Sequence, residues 1–214
     1  MVDEEQKAAY IKQSQLVMVA MSAISISATV LVLLVFGIFK DYLEKPYHRI
    51  VFFIALCEFI SAISTSLGTQ YDAHSIECYA QYGLSRYFIL ASILWCDIIM
   101  IKCWILVTKG TKVYASLQKK YEVYVHIFCW GSPLLCLTLP FIDTDLYLSP
   151  TGNWCYTFIE DIRGLIWMIL SFYMWVFLSV FFMLTCTLLL WWHIKQLPEG
   201  CCFLSICLSF FLRT

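Results

Sequence analysis

Long apolar segments alternate with short polar stretches along the whole 214-residue chain. Five of these segments have about the 20 mostly apolar residues that a helix needs to cross a hydrocarbon core of about 30 Å. They cover residues 16–39, 49–67, 78–108, 123–141 and 165–192. The pattern predicts an all-α membrane protein, a helical bundle with five transmembrane helices.

The polar and apolar stretches also predict how the chain is divided. Residues 1–15 form a short polar head, residues 16–192 the five-span bundle, and residues 193–214 a tail of different character. In that tail, Pro198-Glu199-Gly200 is expected to break the last helix. The apolar stretch that follows has about 12 residues, which is too short to span a bilayer.

Composition supports a membrane protein. Hydrophobic residues make up 61% of the chain and charged residues 14%, against about 45–50% and about 25% in a typical soluble domain. The expected partner is therefore the lipid bilayer that surrounds the helices. The net charge of -1 gives no indication of a nucleic-acid partner.

The basic residues lie on alternate connections, and this predicts an orientation. Nine lie after the first, third and fifth spans, whereas three lie on the opposite side. Basic residues favour the cytoplasmic side of a membrane. We therefore predict an N-terminus outside and a C-terminus inside. The nine are Lys40, Lys45, Arg49, Lys109, Lys112, Lys119, Lys120, Lys195 and Arg213, and the three are Lys7, Lys12 and Arg163.

Two of the eleven cysteines face outward in this topology. Cys78 begins the third span, and Cys155 lies in the connection before the fifth. An exterior compartment is oxidising, so we predict a Cys78–Cys155 disulfide; the alternative is two unpaired thiols. Most of the other cysteines are expected to pack inside spans.

Two short motifs resemble one receptor group. Residues 152–156 are Gly-Asn-Trp-Cys-Tyr, and residues 126–133 are His-Ile-Phe-Cys-Trp-Gly-Ser-Pro. Both are similar to motifs of the cyclic-AMP-receptor-like group of G protein-coupled receptors, which is distantly similar to secretin and adhesion receptors. The resemblance covers residues 16–192. It implies that Trp130, Gly131 and Pro133 form the packing motif of the fourth helix.

The resemblance implies a seven-helix receptor fold, of which this chain has the first five helices. It also implies transmembrane signalling at the plasma membrane through a heterotrimeric G protein. Because helices six and seven are absent after Gln196, we expect a truncated form that is inert or associates with a full-length receptor. The alternatives are a small transporter or channel subunit and a non-signalling membrane adaptor.

Ionisable residues inside the spans are candidate functional residues, because they are costly in lipid and face the bundle interior. Glu58 and Asp97 lie at similar depths in the second and third spans, and Lys102 lies nearer the cytoplasm. We predict an intramembrane polar cluster of these three residues. It acts either as a conformational switch or only as a structural link between the two helices.

Near the exterior end, an arginine and several aromatic residues predict a ligand pocket. Arg86 lies two turns below Cys78, and its planar donors suit a carboxylate or a phosphate. In the alternative interpretation Arg86 extends to the membrane surface. The hypothesised pocket comprises Tyr82, Arg86, Tyr87, Trp154, Tyr156 and Arg163.

Enzymatic chemistry is not expected. The sequence has no nucleophile elbow, glycine-rich phosphate loop or zinc-binding spacing. Its four histidines lie near helix ends, whereas a transmembrane haem protein would need paired histidines deeper in the bilayer. We therefore predict no catalytic residue, no cofactor and no metal site.

Overall fold

The first two spans form a helical hairpin. The computed structural model describes residues 4–67, 75–139, 148–151, 154–157 and 162–196, and of the two short segments only the backbone. Helix α1 runs over Glu4–Ile38, and helix α2 over Pro46–Ser66. A single 3-10 turn, Lys40–Glu44, joins them. Pro46 occupies the first turn of α2, where its missing N–H leaves no hydrogen bond unmade.

The third and fourth spans form one helix, α3, Ile76–Thr138, of 63 residues. Ser75 caps its first turn by accepting a hydrogen bond from the Cys78 N–H at 3.1 Å. Gly110, with φ 81° and ψ 172°, is the residue within α3 that departs from helical geometry. We call residues 76–109 the first arm and residues 111–138 the second arm. The connection between the third and fourth predicted spans, residues 109–122, is helical except at Gly110.

Contacts between the two arms show that the chain reverses at Gly110. The Tyr87 hydroxyl donates to the Trp130 carbonyl at 3.0 Å. Nearer the turn, the rings of Trp95 and His126 lie 5.0 Å apart. The arms are therefore antiparallel, and α3 crosses the membrane twice.

Two glycine substitutions test how this reversal is made. A methyl group added at Gly110 or at Gly131 would meet no described neighbour within 4 Å, and only Gly110 has a positive φ. Gly110→Ala is expected to destabilise the bundle by about 1–3 kcal/mol because of backbone strain. Gly131→Ala should be neutral or stabilising by up to about 1 kcal/mol through helix propensity. Denaturant unfolding in detergent measures both; equal effects would contradict this account.

The fifth span is a helix with an irregular turn. It comprises α4, Ile162–Met168, a π-helical turn, Ile169–Tyr173, and α5, Met174–Lys195. Before it, strands β1, Leu148–Thr151, and β2, Trp154–Thr157, form an antiparallel hairpin that lies against α3. These two strands were not predicted from the sequence.

Segments that follow one another in the chain alternate in direction, as expected for a bundle. Glu58 of α2 contacts Ser92 and Ser64 contacts Gln81, so α2 and the first arm are antiparallel. The first arm and α5 are parallel, because Asp97 pairs with Ser179 while the rings of Trp104 and His193 approach further along. The core comprises Ile50, Leu94, Trp95, Ile98 and Cys129.

The outer surface is apolar, as a bilayer requires. Among the residues that the structure describes, four helices are long and apolar enough to cross a membrane: Lys12–Ile38, Pro46–Ser66, Ile76–Thr138 and Ile162–Lys195. With α3 folded at Gly110, these helices supply the five predicted spans. The prediction of an all-α membrane bundle is confirmed. We call the end where α3 begins the Cys78 end and the opposite end the Gly110 end; which of them is outside stays a prediction.

Candidate functional site

Arg86 faces the irregular turn of the fifth span. Its guanidinium carbon lies 4.0 Å from the centre of the Phe172 ring and 5.9 Å from that of Tyr82. A cation over an aromatic face is attracted by the ring quadrupole. Phe172 belongs to the π-helical turn, Ile169–Tyr173, and such turns occur frequently at functional sites. Arg86 is half-buried against the fifth span.

Tyr82 lies beside Arg86 and contacts the same turn. Its side chain is 6% exposed and hydrogen-bonds Ser171. Ser171 is itself buried. A buried tyrosine and serine that pair with each other fix the first arm of α3 against the π-helical turn. Tyr82, Arg86, Ser171 and Phe172 therefore form one site at the Cys78 end, which we call the arginine site.

The remaining residues of the hypothesised pocket are divided. Tyr87 points away from the arginine site, toward the second arm, where it donates to the Trp130 carbonyl. Arg163 is exposed at the start of α4. Trp154 and Tyr156 lie in β2, whose backbone alone is described, and β2 lies against α3 and α4. The structure thus brings together Tyr82 and Arg86 of the predicted set.

Sequence reasoning missed Ser171 and Phe172. The signal for Ser171 was present, because a hydroxyl within an apolar span tends to face another helix. The same argument applies to Ser179, which is 5% exposed. Phe172 had no comparable signal: it is one of 16 phenylalanines, and only the π-helical turn places it under Arg86.

The predicted polar cluster is separated in the structure. Glu58 accepts a hydrogen bond from Ser92 at 2.5 Å, whereas Asp97 accepts one from Ser179 of α5 at 2.6 Å. Lys102 lines a cavity with Arg49 and Glu122. Residues 92, 97 and 102 are five apart, and each step of five turns a helix by about 140°. Glu58 and Asp97 therefore lie at similar depths in the bundle but do not face each other.

The fourth-helix motif packs through two of its three members. Trp130 stacks near Tyr87 and contacts Phe53 and Trp95. Pro133 is among the most buried side chains of the described residues. Gly131, in contrast, has no described neighbour near its missing side chain. Among the described residues, therefore, no other helix approaches Gly131 closely.

Cys78 forms a disulfide bond and is fully buried. Its predicted partner, Cys155, lies in β2 opposite Pro150, and its side chain lies outside the described part. Since β2 packs on α3, the backbone arrangement is compatible with the predicted pair. The Cys78–Cys155 pairing itself stays a prediction.

The expectations for metal, cofactor and tail also stay predictions. Among the described residues, no group of three or more His, Cys, Asp or Glu side chains could hold a metal ion. The truncation predicted after Gln196 falls outside the described residues, which end at position 196.

Comparison with known proteins gives the family. The family model of the slime mold cyclic AMP receptor matches residues 4–194. The chain is 26% identical over 136 residues to "G-protein coupled receptor 1" of Arabidopsis thaliana, which is 64% of this chain and 39% of that protein. It is 30% identical over 98 residues to "Cyclic AMP receptor 4" of Dictyostelium discoideum, which is 45% of this chain and 21% of that protein.

The match therefore spans less than half the length of either relative. The family model, however, covers nearly all the residues that form the bundle. It agrees with the two motifs and the helix pattern from which the resemblance was inferred. The chain belongs to the slime mold cyclic AMP receptor family and is a G protein-coupled receptor-like, multi-pass membrane protein.

Proposed function

We propose that the chain binds an anionic ligand of the cyclic nucleotide class at the arginine site and transmits binding along the bundle. The observation that carries the proposal is the Arg86 guanidinium held 4.0 Å above the Phe172 ring. Ring stacking uses the face of a guanidinium, and its N–H donors lie in the plane, where a phosphate binds. The name of the relative "Cyclic AMP receptor 4" supports a cyclic nucleotide.

The interface between the first arm and the fifth span offers a route for signalling. It begins at Arg86 and Phe172, continues through the Asp97–Ser179 hydrogen bond, and reaches Trp104 and His193 near the Gly110 end. A ligand that pulls on Arg86 changes its contact with the π-helical turn. We propose that the resulting movement is passed to a heterotrimeric G protein at the plasma membrane, without catalysis, alone or with a full-length receptor.

A transporter or channel has less support. An ion pathway needs polar groups that follow one another across the membrane. Glu58 and Asp97 instead pair with serines on different helices. A membrane adaptor remains the alternative if no ligand binds.

Arg86→Ala tests the proposal. Membranes carrying the full chain are titrated with radiolabelled cyclic AMP. A charge-assisted hydrogen bond contributes about 1.5–3 kcal/mol, so Arg86→Ala should weaken binding about 10- to 100-fold. Arg86→Lys should keep part of the affinity, because it retains charge but loses the fork.

Lys12→Ala is the matched control, because it removes an exposed cation from the same predicted side of the membrane as the arginine site. It should leave affinity unchanged. Absence of saturable binding by the unmodified chain, or equal affinity of Arg86→Ala, would contradict the proposal.

A further inference from the structure

A cavity lies at the Gly110 end, away from the arginine site. It has a volume of about 270 Å³ and is enclosed by α2 and both arms of α3. Its deeper wall is apolar and aromatic, so water gains little there and an apolar chain is favoured. We call this space the inner cavity. Its deeper wall includes Ile50, Phe53, Trp95, Ile98, Ile105 and Val125.

A second space, with charged residues in its lining, adjoins the inner cavity. This outer cavity, of about 400 Å³, is lined in part by Thr111, Gln118 and Lys119. Both cavities border on Arg49 and Glu122. The two spaces together are amphipathic: an apolar interior is followed by a charged mouth. A ligand that fits both has an apolar chain and a polar head.

The charges at this mouth are not balanced. The Arg49 Nη2 atom lies 2.8 Å from Glu122 Oε1. Lys102, half-buried in the inner cavity, forms no salt bridge with a carboxylate in the part of the chain that the structure describes. Since Glu122 is engaged by Arg49, Lys102 and Lys119 leave an excess of positive charge. The head that suits the mouth is therefore an anion.

Two buried hydrogen-bond donors also indicate a ligand that carries acceptor oxygens. The Trp95 indole N–H and the Arg49 Nε–H are buried and lack an acceptor among the described residues. Both side chains line the inner cavity, and Trp95 is only 1% exposed. Buried donors are nearly always hydrogen-bonded in native proteins. Acceptor oxygens of a bound ligand would satisfy them.

We infer that the two cavities bind an anionic glycerophospholipid of the surrounding bilayer. Its phosphate lies among Lys102, Lys119 and Arg49. The ester-linked start of an acyl chain enters the inner cavity, where its carbonyl oxygen accepts from the Trp95 N–H. Lys102 lies about 12 Å along the helix from Gly110, and a lysine at this depth extends its amine toward the headgroup region. Basic pockets between membrane helices suit such headgroups.

Bromine quenching of tryptophan fluorescence tests the assignment. The purified full chain is placed in nanodiscs containing dibrominated phosphatidylserine or dibrominated phosphatidylcholine, which differ only in their headgroups. Trp95→Phe identifies the Trp95 signal, since it keeps an aromatic ring. We expect quenching of Trp95 at lower mole fractions of phosphatidylserine than of phosphatidylcholine.

Lys102→Gln should reduce the preference for phosphatidylserine over phosphatidylcholine about fivefold. The reason is that one basic residue near a membrane contributes about 1 kcal/mol toward an anionic lipid. Lys102→Arg should retain it. Lys112→Gln is the control: it removes the same charge from an exposed position that borders neither cavity. Equal quenching by both lipids, or equal loss in Lys102→Gln and Lys112→Gln, would overturn the inference. Quenching by brominated oleate but not by brominated phosphatidylserine would reassign the cavity to a free fatty acid and overturn the lipid assignment.

Discussion

Trp95→Ala is expected to cause one of the two largest losses of stability in the bundle, about 3 kcal/mol. Trp95 is 1% exposed and packs against Phe53, His126 and Trp130. Removing a buried tryptophan costs about 3–5 kcal/mol in soluble proteins. We expect the lower end, because lipid is as apolar as the helix core and the loss is mainly one of packing.

Trp192→Ala is the matched control for this substitution. Trp192 is 61% exposed at the end of α5, so its removal should cost less than about 0.5 kcal/mol. Denaturant unfolding in detergent micelles, followed by circular dichroism, measures both. Similar costs for the two variants would show that the aromatic core does not hold α2 to the arms of α3.

The second large effect is expected from Cys78→Ser, about 2–5 kcal/mol. Cys78 is buried and disulfide-bonded at the start of α3. The loss should be seen as a lower unfolding midpoint of the oxidised chain and should vanish when the unmodified chain is reduced. Cys186→Ser, at a free and half-buried cysteine, is the control and should change stability by less than about 0.5 kcal/mol.

The same experiment identifies the partner of Cys78. If Cys155 is the partner, Cys155→Ser should match the effect of Cys78→Ser, and the two together should cost no more than either alone. A non-reduced digest should then contain a peptide pair linked through these two residues. A linkage of Cys78 to another cysteine would show the predicted pairing to be wrong.

The sequence predicted the five spans because lipid leaves little choice for an apolar segment. A spanning segment must satisfy its own backbone hydrogen bonds, so each long apolar run is a helix. The ends of helices were less predictable. Residues 111–122, which connect the third and fourth predicted spans, are polar, yet they contain Ala115, Leu117 and Gln118, which favour helix. Polarity indicated their surroundings and not their backbone conformation.

The hairpin before the fifth span had a usable signal. Gly152-Asn153 separates two segments of four residues that pair as β1 and β2. A two-residue connection of this type is a common hairpin turn.

Side-chain partners depend on rotation about the helix axis and on neighbours from other helices. Depth along the axis suggested that Glu58 and Asp97 meet, whereas their rotation directs Asp97 to Ser179 of α5. Tyr82 and Arg86, one turn apart, share a face and meet the same π-helical turn. The arginine site was therefore predictable only in its α3 half.

Photoaffinity labelling tests the central claim, ligand binding at the arginine site, most directly. Membranes carrying the full chain are irradiated with an azido analogue of cyclic AMP, with and without excess cyclic AMP, and the labelled peptide is identified by mass spectrometry. We predict labelling, abolished by cyclic AMP, in the segment from Tyr82 to Arg86 or at Phe172. Labelling confined to Lys102 and Lys119 at the Gly110 end, or labelling that cyclic AMP does not reduce, would contradict the account.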